Sequence, residues 1–153
     1  MLRLTKKADY GLIALSHLAA TRPGASASAK EIAGAYGIPL PLLAKVLQKL
    51  ARNGFLASVQ GTNGGYRLAR DAAGISVFEV VKAIDGPVLL TSCFTENGRC
   101  DQSRCCTVRE PLRKIHHDIL RLLAGITISD LVREETGAQR PGSALPFRIM
   151  HGL

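Results

Sequence analysis

Residues 28–53 read SAKEIAGAYGIPLPLLAKVLQKLARN, and they carry the clearest indication of the fold in this sequence. Ser28 followed three residues later by Glu31 is a capping box, which opens a short helix that Gly37 ends. From Pro41 onward, apolar residues recur every three or four positions, which predicts a second helix with polar residues on its other faces. Two helices joined by a tight turn predict a helix-turn-helix unit.

A hairpin is predicted immediately after this unit. Residues 55–60 read FLASVQ and residues 66–70 read YRLAR, with GTNGG between them at residues 61–65. Glycine tolerates the positive φ angles of tight turns, so the three runs predict a strand, a turn and a strand. We interpret this hairpin as the wing of a winged helix-turn-helix domain. A phosphate-binding glycine loop is disfavoured, because no Gly-Lys-Ser/Thr follows and the loop joins two strands.

Helices are also predicted on both sides of this domain. Thr5 is an N-cap candidate for a first helix that runs to Ala20, and Ser76 is the N-cap candidate for a helix over residues 77–85. The predicted fold class is therefore mainly α with a small β-wing.

A long helix is predicted near the end of the chain, with apolar residues in alternate steps of four and three. These residues are Val108, Leu112, Ile115, Ile119 and Leu122. The seam is too short for a coiled coil alone, but it suits packing against a second subunit and is the candidate dimerisation surface. A dimer would match the symmetry of a palindromic operator. An ordinary amphipathic core helix is the alternative. Thr127 or Ser129 then opens a last short helix over residues 130–136.

The predicted organisation has five parts. They are a winged helix-turn-helix domain at residues 1–72, a connecting helix and linker at 73–92, a cysteine loop at 93–106, a dimerisation helix with the short terminal helix at 107–136, and a flexible tail at 137–153. No apolar run reaches the roughly 18 residues of a membrane helix, and no secretory signal opens the sequence. We therefore expect a cytoplasmic protein with no membrane partner.

The positive charge is concentrated in the first half of the chain. The net charge of the 153 residues is +8, and residues 1–70 carry all of this excess, with ten basic and two acidic side chains. A polyanion such as double-stranded DNA is the natural partner of such a surface, because neutralised phosphates release counterions. A basic surface that only favours solubility is the alternative.

All four cysteines lie in residues 93–106, which read CFTENGRCDQSRCC. Their neighbours are polar or charged, which predicts a loop that offers sulfur rather than a packed core. Six residues separate Cys93 from Cys100, and four or five follow before Cys105 or Cys106, unlike the two-residue steps of zinc ribbons. An iron–sulfur cluster, a zinc ion and a thiol switch are all open interpretations in a cytosolic chain. A thiol enzyme is disfavoured, because the loop has no Cys-x-x-Cys motif.

Three motifs together resemble the Rrf2 family of winged-helix regulators over about residues 1–135. They are the opening MLRLTKKADYG, the run NGFL at residues 53–56 with GTNGGY at 61–66, and a three-cysteine loop before a long helix. The opening and the CTVR at residues 106–109 are most similar to the branch that regulates SUF-type iron–sulfur assembly. The resemblance implies a homodimeric transcription factor, not an enzyme, whose DNA affinity responds to a 2Fe–2S or 4Fe–4S cluster. A nitric-oxide or redox sensor of the same fold, or a zinc or thiol-switch regulator without a cluster, is the alternative.

The resemblance also implies the cluster ligands. They would be Cys93, Cys100 and Cys106, with Cys105 as the alternative to Cys106. Cys106 is preferred because Leu112 stands six positions after it, where the family pattern has a large apolar residue.

The fourth ligand differs among members of the family. Some use a histidine three residues after the last cysteine, where this chain has Arg109, and others use an aspartate on the first helix, where it has Asp9. An acid in the first turn of a helix is also favoured by the macrodipole alone. His116 and His117 could offer imidazole, but adjacent helical residues point about 100° apart, so at most one faces a given site.

The candidate DNA contacts lie on the helix-turn-helix and the wing. They are Lys45, Gln48, Lys49 and Arg52 in the recognition helix, Gln60, Asn63, Tyr66 and Arg67 in the wing, and Ser28 and Lys30 at the start of the preceding helix. Family members often carry arginine where this chain has Gln60.

Overall fold

The computed structural model describes residues 3–62, 64–95, 98 and 100–137. Its helices and strands are α1 (Lys6–Ala20), α2 (Ala29–Tyr36), α3 (Leu40–Arg52), β1 (Leu56–Val59), β2 (Gly65–Leu68), α4 (Val77–Asp85), α5 (Arg109–Gly125) and α6 (Ile128–Glu135). The predicted fold class, mainly α with a small β-wing, is confirmed. The predicted tail beyond residue 137 and the wing residue Asn63 lie outside the described residues.

Three of the predicted helix starts are confirmed by the hydrogen bonds of their N-caps. The hydroxyl of Thr5 accepts the amide of Ala8 at the start of α1. Ser28 opens α2 and Ser76 opens α4, each as a complete capping box with the glutamate three residues on. Side-chain acceptors satisfy amides that have no partner within the helix, so these residues fix where the helices begin.

The start of α6 differs from the prediction. The helix begins at Ile128, two residues before the predicted start at 130. The hydroxyl of Thr127 accepts the amide of Asp130, and the carboxylate of Asp130 accepts the amide of Thr127. This reciprocal pair makes Thr127, rather than Ser129, the N-cap.

One hydrophobic core unites the winged domain with the helices that follow it. The largest fully buried side chains are Leu15, Ile32, Leu43, Leu47, Leu50, Ile75, Val80 and Ile128. They come from α1, α2, α3, α4 and α6 and from the segment before α4. The packed core therefore extends past the predicted domain boundary at residue 72 and includes the start of α6.

Helix α6 returns to the winged domain after α5. The amide of Val77 donates to the carbonyl of Ile126 over 2.8 Å, and the amide of Ile128 donates to the carbonyl of Ile75 over 2.9 Å. These bonds join the start of α4 to the start of α6. Helix α5 contacts α4 and buries His116. No helix in the described part of the chain, α5 included, is long and apolar enough to cross a bilayer.

Candidate nucleic-acid interface and metal centre

The helix-turn-helix is formed by α2 and α3 around Gly37. Gly37 has φ 63° and ψ 31°, and its amide donates to the carbonyl of Ala33. Glycine adopts this left-handed conformation without a Cβ penalty, so the chain turns sharply into α3. Helix α3 buries Leu43, Val46, Leu47 and Leu50 on the core side. The predicted contacts Lys45, Gln48 and Arg52 are exposed on its opposite side.

Lys49, the other predicted contact of α3, has a partner inside the protein. Its ammonium group donates to the carbonyl of Ile84 near the end of α4 over 2.8 Å. That carbonyl is in the last turn of the helix, where a cation also interacts favourably with the helix dipole. The structure therefore places the ammonium group of Lys49 against α4, although Lys49 is exposed like Lys45, Gln48 and Arg52, and its contact with DNA stays a prediction.

Replacing Lys49 by methionine tests this placement. The apolar stem is kept and the ammonium is lost, so we expect the protein to lose about 1 kcal/mol of stability while the salt dependence of DNA binding stays unchanged. Lys45→Met is the matched control, because Lys45 is exposed on the same helix without the bond to α4 that Lys49 makes, and its loss should flatten the salt slope by about one unit per subunit. Fluorescence anisotropy at several salt concentrations measures the salt slope of both variants, and urea unfolding measures their stability. A flatter slope for Lys49→Met would return this residue to the DNA contacts.

The wing is paired with the segment that leads into the helix-turn-helix. Strands β1 and β2 are antiparallel, with Leu56 opposite Leu68. The amide of Ala27 donates to the carbonyl of Tyr66, and the amide of Tyr66 donates to the carbonyl of Ala27, over 3.0 and 2.9 Å. Gly65 permits this approach, since a Cβ atom on it would lie 2.3 Å from the Ala27 carbonyl oxygen. The wing and the start of α2 are therefore one hydrogen-bonded unit.

Among the predicted wing contacts, Gln60 and Arg67 are exposed and Tyr66 is half-buried. Arg70, just beyond β2, lies over the ring of Phe55 at 4.9 Å and forms an ion pair with Glu79. It therefore binds the end of the hairpin to α4.

The two predicted contacts at the start of α2 have different environments. The hydroxyl of Ser28 is used in the capping box, where it accepts the amide of Glu31. The backbone amide of Ser28 in return donates to the Glu31 carboxylate, which lowers the pKa of that carboxyl group. Lys30 is exposed.

Three of the four cysteines line one pocket. Cys93, Cys100 and Cys106 surround a cavity of about 320 Å³ together with Gly98, Ser103 and Arg109. The loop begins with a 3-10 turn, Ser92–Phe94, and ends where α5 starts. All four thiols are free.

Cys105 lies outside this pocket. It is exposed, and its thiol donates to the carbonyl of Gln102. The neighbouring Cys106 is partly buried and lines the cavity. Adjacent residues thus have different environments, and the geometry groups Cys106, not Cys105, with Cys93 and Cys100.

Neighbouring side chains lower the pKa of the Cys93 thiol. The nearby Thr91 hydroxyl lowers it most, while burial opposes the shift and Cys100 and Arg109 add to it. That hydroxyl is buried and makes no hydrogen bond to the described part of the chain that meets the usual distance and angle limits. A lowered pKa favours the thiolate, which is the form that binds a metal.

The loop backbone around the pocket is tightly packed at Gly98. A Cβ atom there would lie 2.6 Å from the carbonyl oxygen of Ser92 and 2.9 Å from that of Cys93.

Among the described residues, no three His, Cys, Asp or Glu side chains lie close enough together to hold one metal ion. Three thiols spread around a cavity suit a cluster, whose cysteines bind more than one iron atom, better than one tetrahedral zinc.

The candidates for a fourth ligand are separated by the fold. Asp9 is in the first turn of α1, where its carboxylate pairs with Lys6 at 3.5 Å, and it does not line the cysteine pocket. Arg109, which stands where some members of the family have a histidine ligand, does line the pocket. His116 is buried and its ring lies 5.2 Å from that of Phe94, next to Cys93, whereas His117 is exposed.

Thr91 and Ser103 contribute to the site but were not among the residues predicted from sequence. A hydroxyl residue two positions before a cysteine is a weak signal, because its burial depends on how the loop folds. The packing of His116 on Phe94 was also not predicted, since it joins the loop to a helix more than twenty residues later.

Comparison with known proteins identifies a family and several similar folds. A family model described as Rrf2, Iron-dependent Transcriptional regulator, matches residues 4–134. The structure of CymR (YrzC), the global cysteine regulator of B. subtilis, is 24% identical with a TM-score of 0.73, and the match covers 88% of this chain and 98% of that one. IscR of T. potens is 25% identical with a TM-score of 0.70, covering 93% and 94%. The oxidised form of Staphylococcus aureus CymR is 20% identical with a TM-score of 0.66, covering 92% and 99%.

Proposed function

Because this chain belongs to the Rrf2 family of transcriptional regulators, which are not enzymes, we propose that it is a homodimeric, cytoplasmic DNA-binding regulator controlled by an iron–sulfur cluster. The cluster, 2Fe–2S or 4Fe–4S, would be held by Cys93, Cys100 and Cys106. The observation that carries the proposal is the pocket that these three cysteines share while Cys105 lies outside it. The opening MLRLTKKADYG and the CTVR at residues 106–109 are similar to regulators of SUF-type assembly, which suggests iron–sulfur assembly genes as the targets.

The cluster supplies a group that oxidants, nitric oxide or iron shortage can change or remove. The thiolates of the loop would bind it, and the Thr91 hydroxyl, which lowers the pKa of the Cys93 thiol, would favour the thiolate form of that ligand. Asp9 stays a candidate for the fourth ligand on the family resemblance alone. Its pairing with Lys6 at the surface means that it must leave that ion pair to bind a cluster.

The signal reaches the DNA-binding surface through the end of α4, which precedes the cysteine loop. Asp85 accepts the hydroxyl of Thr5 at the start of α1, and Ile84 accepts the ammonium of Lys49 on α3. The loop is thus a short segment away from contacts to both helices. Binding of the cluster can shift the population of DNA-competent dimers only if it interacts differently with the two states of these contacts.

Anaerobic purification tests the proposal. The wild-type protein should be coloured and contain iron and sulfide, and its DNA affinity should change about tenfold when the cluster is removed. Cys93→Ser, Cys100→Ser and Cys106→Ser should each lose the colour, whereas Cys105→Ser, the matched control, should keep it. A colourless wild-type protein would contradict the presence of a cluster. Loss of colour only with Cys105→Ser would contradict the ligand set.

The dimer interface is proposed to be the apolar seam of α5. Val108, Ile115 and Leu122 are seven residues apart and remain 53%, 49% and 49% exposed in the single chain. Half of each side chain therefore has no cover from the chain itself, and a second copy of the same helix can provide it.

Replacing Ile115 by glutamate should turn the dimer into a monomer. A charge in the middle of the seam would have to be desolvated in the dimer, whereas it stays in water in the monomer. Lys114→Glu is the control, because this neighbouring residue is exposed outside the seam and should leave the dimer intact. Sedimentation velocity gives the mass, and circular dichroism shows that both variants are folded. A dimeric Ile115→Glu protein would exclude this interface.

A thiol switch without a cluster is the second candidate. Cys93 and Cys100 line the same pocket, and Cys100 is among the neighbours that lower the pKa of the Cys93 thiol, so these two cysteines are the candidate pair. Hydrogen peroxide would oxidise the pair to a disulfide, each thiol giving up one proton and one electron, and would itself be reduced to two water molecules. A colourless protein whose mass falls by two hydrogen atoms after peroxide treatment, with a parallel change in DNA affinity, would favour this candidate.

A further inference from the structure

The first turn of α3 has a chemistry that the proposed DNA-binding function does not by itself explain. It consists of Leu40, Pro41 and Leu42 and follows Pro39 at the N-cap, which makes no side-chain cap hydrogen bond. Leu40 is 42% exposed, and Pro41 is exposed beside it. The part of a recognition helix that usually reads bases therefore presents apolar surface in this chain.

Hydrogen bonding from this turn is almost excluded by its composition. Pro39 and Pro41 have no amide hydrogen, and none of the three side chains of the turn has a donor or an acceptor. The amides of Leu42 and Leu43 donate to the carbonyl of Pro39. Only the amide of Leu40 is left, and the first exposed polar side chain of the helix is Lys45.

The thymine methyl group is the feature of the major groove that such a surface can recognise. Guanine, cytosine and adenine present hydrogen-bond donors and acceptors there, and thymine adds an apolar methyl group. We propose that Leu40, supported by Pro41, determines operator specificity by packing against the methyl group of a thymine in each half-site. Lys45, Gln48 and Arg52 then provide the polar contacts further along the helix.

This inference rests on the proposed DNA-binding function, so the test must separate the two. The full-length protein first selects duplexes from a random-sequence library, and the most enriched duplex becomes the probe. Each thymine of one half-site is then replaced in turn by deoxyuridine, which removes only the methyl group. At one position we expect the affinity to fall about three- to tenfold.

Variants of Leu40 connect that position to the residue. Leu40→Ala should bind the thymine probe about three- to tenfold more weakly and should no longer distinguish thymine from deoxyuridine. Leu40→Met keeps an apolar side chain of similar volume and should restore the discrimination. Lys45→Met is the control, because it should weaken binding to both probes by the same factor.

The outcomes distinguish the two levels of the argument. If no deoxyuridine exchange lowers the affinity threefold, or if Leu40→Ala discriminates as well as the wild type, the assignment of Leu40 is wrong while DNA binding stands. If the library yields no enriched sequence with either the cluster-loaded or the cluster-free protein, the proposed function itself is contradicted. Circular dichroism of each variant shows whether it is folded.

Discussion

Replacing Gly65 by alanine is expected to lower the free energy of unfolding by about 3 kcal/mol and to remove specific DNA binding. The new Cβ atom would lie 2.3 Å from the carbonyl oxygen of Ala27 and 2.8 Å from the amide nitrogen of Ser28. Both are backbone atoms that cannot rotate away, so β2 must separate from the segment before α2. The two hydrogen bonds between Ala27 and Tyr66 would then break, and the wing would lose its position beside the recognition helix.

Gly34→Ala is the matched control for this substitution. Gly34 lies within α2, and a Cβ atom there would have no neighbour within 4 Å. Alanine is the better helix former, so this variant should gain up to about 1 kcal/mol. Thermal unfolding should show a midpoint about 10 °C lower for Gly65→Ala and a slightly higher one for Gly34→Ala. A Gly65→Ala protein with wild-type stability would mean that the wing is not held against Ala27.

Replacing Ile128 by alanine is expected to cost about 3 to 4 kcal/mol. The side chain is fully buried in the core at the start of α6, and its amide donates to the carbonyl of Ile75. Removing three carbon atoms leaves a cavity at the point where α6 joins the winged domain. Because α6 follows directly after α5, the variant should also loosen the orientation of α5, which hydrogen exchange of the amides in both helices would detect.

Leu4→Ala provides the comparison, because Leu4 is exposed before α1 and its truncation should cost less than about 0.5 kcal/mol. Urea unfolding of both variants measures the difference. If Ile128→Ala costs under about 1 kcal/mol, or if the exchange of α5 is unchanged, then α6 does not hold the long helix to the domain.

Local rules predicted most of the fold from sequence. Ser28 and Ser76, each with a glutamate three residues later, mark helix starts through hydrogen bonds that span only four residues. Gly37 marks the turn in the same way, because a residue in the left-handed region favours glycine. The choice of Thr127 over Ser129 needed the structure, since the same acidic residue, Asp130, follows both hydroxyl residues within three positions.

Contacts between distant parts of the chain could not be predicted in this way. The bond from Lys49 to Ile84 joins residues 35 positions apart, and an exposed lysine on a recognition helix looks the same in sequence whether it faces DNA or a carbonyl. The burial of Ile128 in the core of the winged domain is a similar case. For the cysteine site, spacing left Cys105 and Cys106 open, and the family resemblance implied Cys93, Cys100 and Cys106, which share one pocket. The burial of the Thr91 hydroxyl depends on how the loop packs.

The pairing of Ala27 with Tyr66 limits how any signal can act on DNA. It joins the wing to the helix-turn-helix, so we expect the hairpin and the recognition helix to move together. A change at the cysteine loop would then move each winged domain as a whole. In the proposed dimer, the signal would adjust the distance and angle between the two winged domains. Regulation would therefore depend on the number of base pairs between the half-sites, and the bases within each half-site would be read in the same way in both states.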